Sequence, residues 1–200
     1  IATVICAKNI YQLIKSTLQN SNISFSIIRP SILLDNNINN PNLQKQAIYL
    51  FAKIIYSFSK QTDKQLILSA TKGASLNFVF VDELVEFISN VSCNNQSYNF
   101  VSEENIPISS LLASISEGLH KTNKIVLVEN SEHSVDNPLN QYLMQKLRPF
   151  DPYFHSGNLN WVRKNTEDKL TELTLNMSSK NKALENIRTY CEMLQQDETK

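Results

Sequence analysis

ISFSIIRPS, from Ile23 to Ser31, is the stretch that decides how this chain is read. Its β-branched and aromatic side chains mark Ile23 to Arg29 as a short strand. Pro30 stops it, because a proline nitrogen has no hydrogen to give to a ladder. Upstream, from about Val4 to Asn20, Ile10, Leu13, Ile14 and Leu18 recur at spacings of three and four, the stripe of a helix that buries one face. Asn20-Ser21-Asn22 punctuates the passage from helix to strand. A helix that feeds a short apolar strand is one half of an α/β unit.

Downstream, the pattern repeats. Asp35 to Asn42 is a polar, Asn-rich loop, and Leu43 to Phe58 reads as a helix whose face is Leu43, Ala47, Leu50, Phe51, Ile54 and Ile55. Gln65 to Ser69 is a strand leading to a turn at Lys72-Gly73. SLNFVFV, Ser75 to Val81, is the stronger strand, and Asp82 then caps a helix over Glu83 to Val91. Ser97 to Val101 is another strand, Ser109 or Ser110 caps a helix reaching Gly118, and Ile125 to Glu129 is a further strand. After Asn137-Pro138 the pattern is helical. Pro149 and Pro152 predict a loop at 148–152, and the helix resumes from about Thr166 to the end. Helices alternating with short apolar strands predict an α/β domain with a largely parallel sheet.

Composition sets outer limits. Two hundred residues suit one domain, or a large piece of one. The 19 basic and 19 acidic residues cancel, which gives no electrostatic case for nucleic acid or an anionic membrane as main partner. Cys6, Cys93 and Cys191 are odd in number and far apart, so neither a disulfide framework nor a metal site is expected, and a cytoplasmic setting is the default. No apolar stretch approaches the roughly 18 residues of a membrane span. The first methionine is Met144, so the N-terminus at Ile1 is expected to be cut or processed. His120, His133 and His155 are scattered and read as surface or loop residues. No G-x-S-x-G elbow supports a Ser-His-Asp triad.

Several segments, in order, carry a resemblance. Lys8 lies 21 positions before Arg29-Pro30-Ser31. Gly73 precedes Asn77-Phe78-Val79-Phe80-Val81-Asp82-Glu83-Leu84-Val85. Ser97-Tyr98-Asn99-Phe100-Val101, Ile106-Pro107-Ile108, Arg148-Pro149-Phe150 and Asn165-Thr166 follow. This succession resembles the second half of the extended short-chain dehydrogenases/reductases, in particular the thioester reductases that terminate polyketide and peptide synthases and their fatty acyl-CoA reductase relatives.

The resemblance implies an α/β fold, the C-terminal part of a Rossmann-like domain with a mostly helical substrate-side cap. Residues 1–35 and 65–101 would be sheet-side, and 36–64 and 102–200 substrate-side. It implies NADPH as cofactor, Lys8 as the catalytic lysine that also contacts the cofactor ribose, and Arg29, Pro30, Ser31 and Ile32 as cofactor-binding residues, with the last three beside the nicotinamide. The substrate it implies is an acyl thioester on the phosphopantetheine of an acyl carrier protein, reduced to aldehyde or alcohol. The rest of a larger synthase or reductase chain would be a partner. Trp161 and the Tyr153-Phe154 pair read as core aromatics, which in such a cap could instead line an acyl channel.

The chain also departs from that pattern. Val4 stands four residues before Lys8, where the proton-donating tyrosine belongs. Tyr11-Gln12-Leu13-Ile14-Lys15 matches Tyr-x-x-x-Lys literally, but Lys15 is only 14 residues from Arg29 and close to the end of its helix. Asp35 falls where a glycine is usual. Gly73, Gly118 and Gly157 are the only glycines, too sparse for a loop that cradles pyrophosphate. Two other readings therefore stay open: a nucleotide-sugar epimerase or dehydratase of the same extended kind, and an inactive remnant or interaction module.

Overall fold

The computed structural model describes residues 12–13, 15–20, 24–62, 64–121, 125–129, 137–155 and 161–196. Val4, Lys8, Tyr11, His133 and Gly157 lie outside the described residues. Residues 12–13 and 15–19 are helical. They are followed by β1 (Ser26–Pro30), β2 (Ile32–Leu34), α1 (Ala47–Gln61), β3 (Leu66–Ala70), β4 (Ser75–Leu76), β5 (Phe78–Phe80), α2 (Val81–Asn90) and β6 (Gln96–Phe100). Next come β7 (Ile106–Pro107), α3 (Ile108–Gly118), β8 (Ile125–Glu129), α4 (Pro138–Leu147), α5 (Asp151–Phe154), α6 (Lys164–Leu173) and α7 (Lys180–Gln196). The fold is α/β, as the alternation predicts.

Among the described residues, three of the four strand pairings are parallel. β1 pairs with β6, β2 with β5 and β3 with β8, while β4 and β7 run antiparallel. Pro30 ends β1 opposite Phe100. Its missing N–H falls at the edge of the ladder, and the next amide, that of Ser31, donates to the Phe100 carbonyl at 3.1 Å. One residue later the chain changes partner, and the Ile32 amide donates to the Asn77 carbonyl at 3.2 Å. β1 and β2 are thus consecutive strands parted at Ser31.

Strand β5 shows why these segments are apolar throughout. Phe78 and Phe80 point into the larger core around α1, and Val79 points the other way, onto Phe87, Tyr98, Phe100 and Leu170. A parallel strand covered on both faces needs apolar residues at every position. The larger core gathers Leu34, Tyr49, Phe51, Ile55, Leu66, Leu68, Ile115 and Ile187, and α7 packs against α1, α3 and β5 to close it.

Several expected boundaries shift, each for a local reason. SLNFVFV is two strands, not one. Asn77 breaks it, because its buried side chain is hydrogen-bonded across to the 102–105 turn. Its amide nitrogen donates to the Ser102 carbonyl (3.0 Å) and Asn105 Oδ1 (2.9 Å), and its Oδ1 accepts from the Ser102 amide (2.8 Å). Asp82 does not cap α2. The helix starts at Val81, Glu83 Oε2 reaches back to the Phe80 amide at 3.2 Å, and Asp82 Oδ2 accepts from Asn36 Nδ2 at 2.7 Å. Neither Ser109 nor Ser110 caps α3, which already begins at Ile108 with Pro107 before it.

The expected loop at 148–152 is a 3-10 turn (Arg148–Phe150) running into α5, because both prolines fall in first-turn positions, where a missing N–H costs nothing. The helix expected from Thr166 onward is broken. Thr174 adopts a left-handed conformation (φ 55°), residues 175–179 run without regular structure, and α7 restarts at Lys180. The buried face of α1 is turned relative to expectation, onto Ile48, Tyr49, Phe51, Ala52, Ile55 and Tyr56, while Leu50 is 38% exposed. The Lys72-Gly73 turn forms as expected, with Gly73 at φ 74°.

Candidate functional site

The parting of β1 from β2 opens a cavity of about 570 Å³, within the range of small-molecule sites. Its floor is Pro30, Ser31, Ile32 and Leu33. Leu76 and Asn77 come from the β4–β5 junction, Val81 from the first turn of α2, and Gln46 and Ala47 from the start of α1. Tyr153 of α5 and Trp161 complete the wall. Beneath it, an apolar notch of about 20 Å³ shares Ile32, Ala47, Leu76 and Tyr153 and reaches toward Phe51, Leu111 and Phe154. Outside the carboxyl end of a parallel strand, at a change of partner, is where open α/β sheets hold their ligands.

Each wall is fixed by its own contacts. The Gln46 amide donates to the Leu43 carbonyl at 2.8 Å and its carbonyl accepts from the Leu50 amide at 2.8 Å, so the residue is pinned between a 3-10 turn (Leu43–Lys45) and α1. α5 is held by the rings of Phe150 and Phe154 against Phe51, centroids 5.3 Å apart in each case, and by the Thr71 amide donating to the Phe154 carbonyl at 2.9 Å. The segment carrying Trp161 is stitched to β6. Asn99 Nδ2 donates to the Val162 carbonyl (2.8 Å), Thr166 Oγ1 to the Asn99 carbonyl (2.8 Å) and Asn165 Nδ2 to the Ser97 carbonyl (3.1 Å).

The lining is chemically sparse. Its described residues include no Asp, Glu, Lys, Arg or His, so no ionised side chain stands ready there. Asn77 is committed to the 102–105 turn. Ser31 Oγ and Gln46 Oε1 are buried and bond to nothing.

The residues singled out from sequence separate here. Pro30, Ser31 and Ile32 line the cavity, whereas Arg29 is exposed at the end of β1 and outside the lining. Lys8 lies beyond the described residues. Lys15 is half-buried in the first helical segment. Tyr153 and Trp161 are not core aromatics: they are 41% and 42% exposed at the cavity wall, while Phe154 alone of the three is buried in the core. His120 and His155 are exposed. Sequence reasoning missed Gln46, Ala47, Leu76 and Val81. Gln46 is the last of three polar residues, Gln44-Lys45-Gln46, ahead of an apolar helical run, and nothing local sets it apart from the other two.

No group of three or more His, Cys, Asp or Glu residues gathers to hold a metal ion among the described residues, and no helix there is long and apolar enough to cross a membrane.

No family model matches the chain, and no curated protein matches it. Solved structures do. A dTDP-glucose 4,6-dehydratase from Bacillus anthracis in complex with NAD is similar over 92% of this chain and 50% of its own, at 12% identity and a TM-score of 0.57. A UDP-glucose 4-epimerase from Thermotoga maritima with UDP-glucose covers 93% and 50%, at 9% identity and a TM-score of 0.54. RMD from Pseudomonas aeruginosa complexed with NADPH covers 92% and 53%, at 12% identity and a TM-score of 0.55. The chain therefore has the α/β fold of these solved structures, and it spans about half the length of their chains.

Proposed function

We propose that this chain is the substrate-side portion of an NAD(P)-dependent enzyme, and that the reacting carbon of a carbonyl or carbinol substrate sits in the cavity over Ser31. One observation supports this most: the cavity opens where β1 and β2 part, and Pro30, Ser31 and Ile32, which the family resemblance sets beside a nicotinamide, form its floor.

The residues present fit the nicotinamide end of a dinucleotide. Pro30 and Ile32 offer an apolar surface for the ring, with Ser31 between them. NAD(P), when bound, supplies the hydride. The role of this chain is to hold ring and substrate in register and to exclude water with Leu76, Val81 and Trp161. The pyrophosphate end finds no seat among the described residues. Gly73 serves the β3–β4 turn, and Gly118 is packed against α7.

For the substrate, a nucleoside-diphosphate sugar is favoured by the solved structures of this fold, which include a dTDP-glucose dehydratase and a UDP-glucose epimerase. A second reading, an acyl thioester on a carrier-protein phosphopantetheine, is favoured by the lining. An apolar wall without Lys or Arg suits an acyl chain and leaves a diphosphate without charged partners.

The test is to express the longest natural reading frame that contains these 200 residues. NADH and NADPH binding is measured first, followed by turnover of dTDP-glucose, UDP-glucose and an acyl N-acetylcysteamine thioester. Cofactor binding with turnover of one class supports the proposal and selects the substrate. A protein that binds neither cofactor refutes it and leaves the interaction-module reading.

A further inference from the structure

We infer that the outer edge of β1 is a docking seam: a further strand of the same domain, supplied by the natural reading frame outside these 200 residues, pairs with Ser26 and Ile28. The inference rests on the reading of the chain as one portion of a larger enzyme, and it names where that portion joins the rest.

The hydrogen bonds of β1 tell its two edges apart. The Phe25 carbonyl accepts from the Asn95 amide at 2.7 Å, and the Ser31 amide donates to the Phe100 carbonyl at 3.1 Å. Backbone groups alternate sides along a strand, so the odd-numbered Ile27 and Arg29 also face β6. Ser26 and Ile28 then direct an N–H and a C=O each to the other side, where β1 has no partner strand among the described residues. Pro30 shares their parity, so its missing N–H marks where that outer ladder stops.

The far edge of the same two-stranded sheet is closed. The carbonyls of Ser97 and Asn99 face away from β1, and side chains of α6 take both. Asn165 Nδ2 donates to the first at 3.1 Å and Thr166 Oγ1 to the second at 2.8 Å. An edge blunted in this way ends its sheet, whereas Ser26-Ile27-Ile28 carries no charge to repel another strand. Ile28 packs against the cluster of Phe87, Tyr98 and Phe100, and Ile27, on the opposite face, is half-buried. Apolar residues at successive positions suit a strand inside a sheet, not one at its rim. Leu13, in the apolar stripe of the helical segment ahead of β1, is 66% exposed. The fold supplies the occupant. The part matched by this chain covers 50% of the dehydratase and of the epimerase, so each carries about as much chain again.

Amide hydrogen exchange, read residue by residue, tests the seam in two proteins: the 200-residue chain and the longest natural reading frame that contains it. In the shorter protein the Ile28 amide should exchange within about tenfold of an unstructured peptide, while Ile27 and Arg29 are slower by about a hundredfold or more. In the longer protein, without cofactor, Ile28 should slow by about a hundredfold and match its neighbours. If the shorter protein does not hold its fold, Ile27 and Arg29 lose their protection together with Ile28, and the longer protein alone decides. An Ile28 amide that stays fast in the longer protein overturns the inference, as does a reading frame that adds no chain. Protection of Ile28 already present in the shorter protein overturns it too, and protection that grows with concentration assigns the edge to a second copy. The NAD(P) reading fails separately: cofactor binding is then absent while Ile28 stays protected, whereas a failed seam leaves Ile28 fast whether or not cofactor binds.

Discussion

Replacing Gly118 by alanine should loosen the chain through a contact that can be measured in advance. Helices α3 and α7 approach so closely there that a Cβ at 118 would stand 2.4 Å from the Arg188 carbonyl oxygen and 2.7 Å from Cys191 Cβ. The first obstacle is backbone, which cannot turn aside as a side-chain tip can. One turn earlier Ser114 makes the same close approach, its Oγ donating to the Leu184 carbonyl at 2.9 Å. Relief therefore requires the two helices to separate by on the order of 1 Å, which strains the packing of Ile115 against Ile187 and Cys191.

Overpacking of this kind costs about 1–3 kcal/mol, and alanine's better helix propensity returns about 1 kcal/mol. With backbone as the obstacle the cost sits at the upper end, for a net loss of about 2 kcal/mol. In a chain of this length that lowers the thermal midpoint by roughly 4–8 °C. Urea unfolding followed by far-ultraviolet circular dichroism measures it. Gly73→Ala is the control, because its left-handed φ of 74° predicts a loss of about 1 kcal/mol from backbone strain while the space around it is empty. A Gly118→Ala midpoint equal to or above that of the parent chain would refute the reasoning.

Tyr190→Phe should be neutral or stabilising by about 1 kcal/mol at neutral pH in urea melts, because the Tyr190 hydroxyl is buried without a partner. Burial raises Tyr49 and Tyr190 from 10 to about 12 and Cys191 from 9 to about 12. The unfolded chain therefore ionises first. Stability from these groups is complete below pH 9 and declines as pH rises toward 12, a trend that urea midpoints across that range should show and Tyr190→Phe should weaken. Asn77→Ala should cost about 2–4 kcal/mol, because it strands the buried Ser102 amide and carbonyl, and differential scanning calorimetry would detect it. Maleimide labelling of the native chain should modify exposed Cys93 within minutes and spare Cys191 until denaturant is added, as read by peptide mass spectrometry.

The alternation of helix and strand was legible because each element carries its own periodicity. β1, β3, β6 and β8 lie within a few residues of where their apolar runs place them, and α1 occupies most of its expected span. What stayed hidden was set by residues distant in sequence. Nothing near Asn77 says that Ser102 and Asn105 will claim its side chain and split a strand. Glu83 displaced Asp82 at the head of α2 because its longer side chain can fold back to the Phe80 amide, a reach that residue type alone does not reveal. Pro149 and Pro152 read as breakers, yet a proline in a first helical turn is harmless. In the site, Pro30, Ser31 and Ile32 come from the family resemblance that Arg29-Pro30-Ser31 carries, not from any local pattern of their own. Gln46, Leu76 and Val81 meet them only through the register of β2 on β5 and the placement of α1.

The position of α7 also sets an order of events. Asn186 Nδ2 holds the Asp35 carbonyl at 2.9 Å and its Oδ1 accepts from the Tyr49 hydroxyl at 2.7 Å, so the last described helix binds the loop after β2 and the first turn of α1. A ribosome adding about 5–20 residues per second needs roughly 7–30 s to travel from the one to the other. Throughout that interval the inward faces of Leu34, Tyr49 and Ile115 lack the cover of α7, and apolar surface stays open on the nascent chain. A message that ends before the codon for Lys180 encodes a polypeptide that keeps that surface open for good.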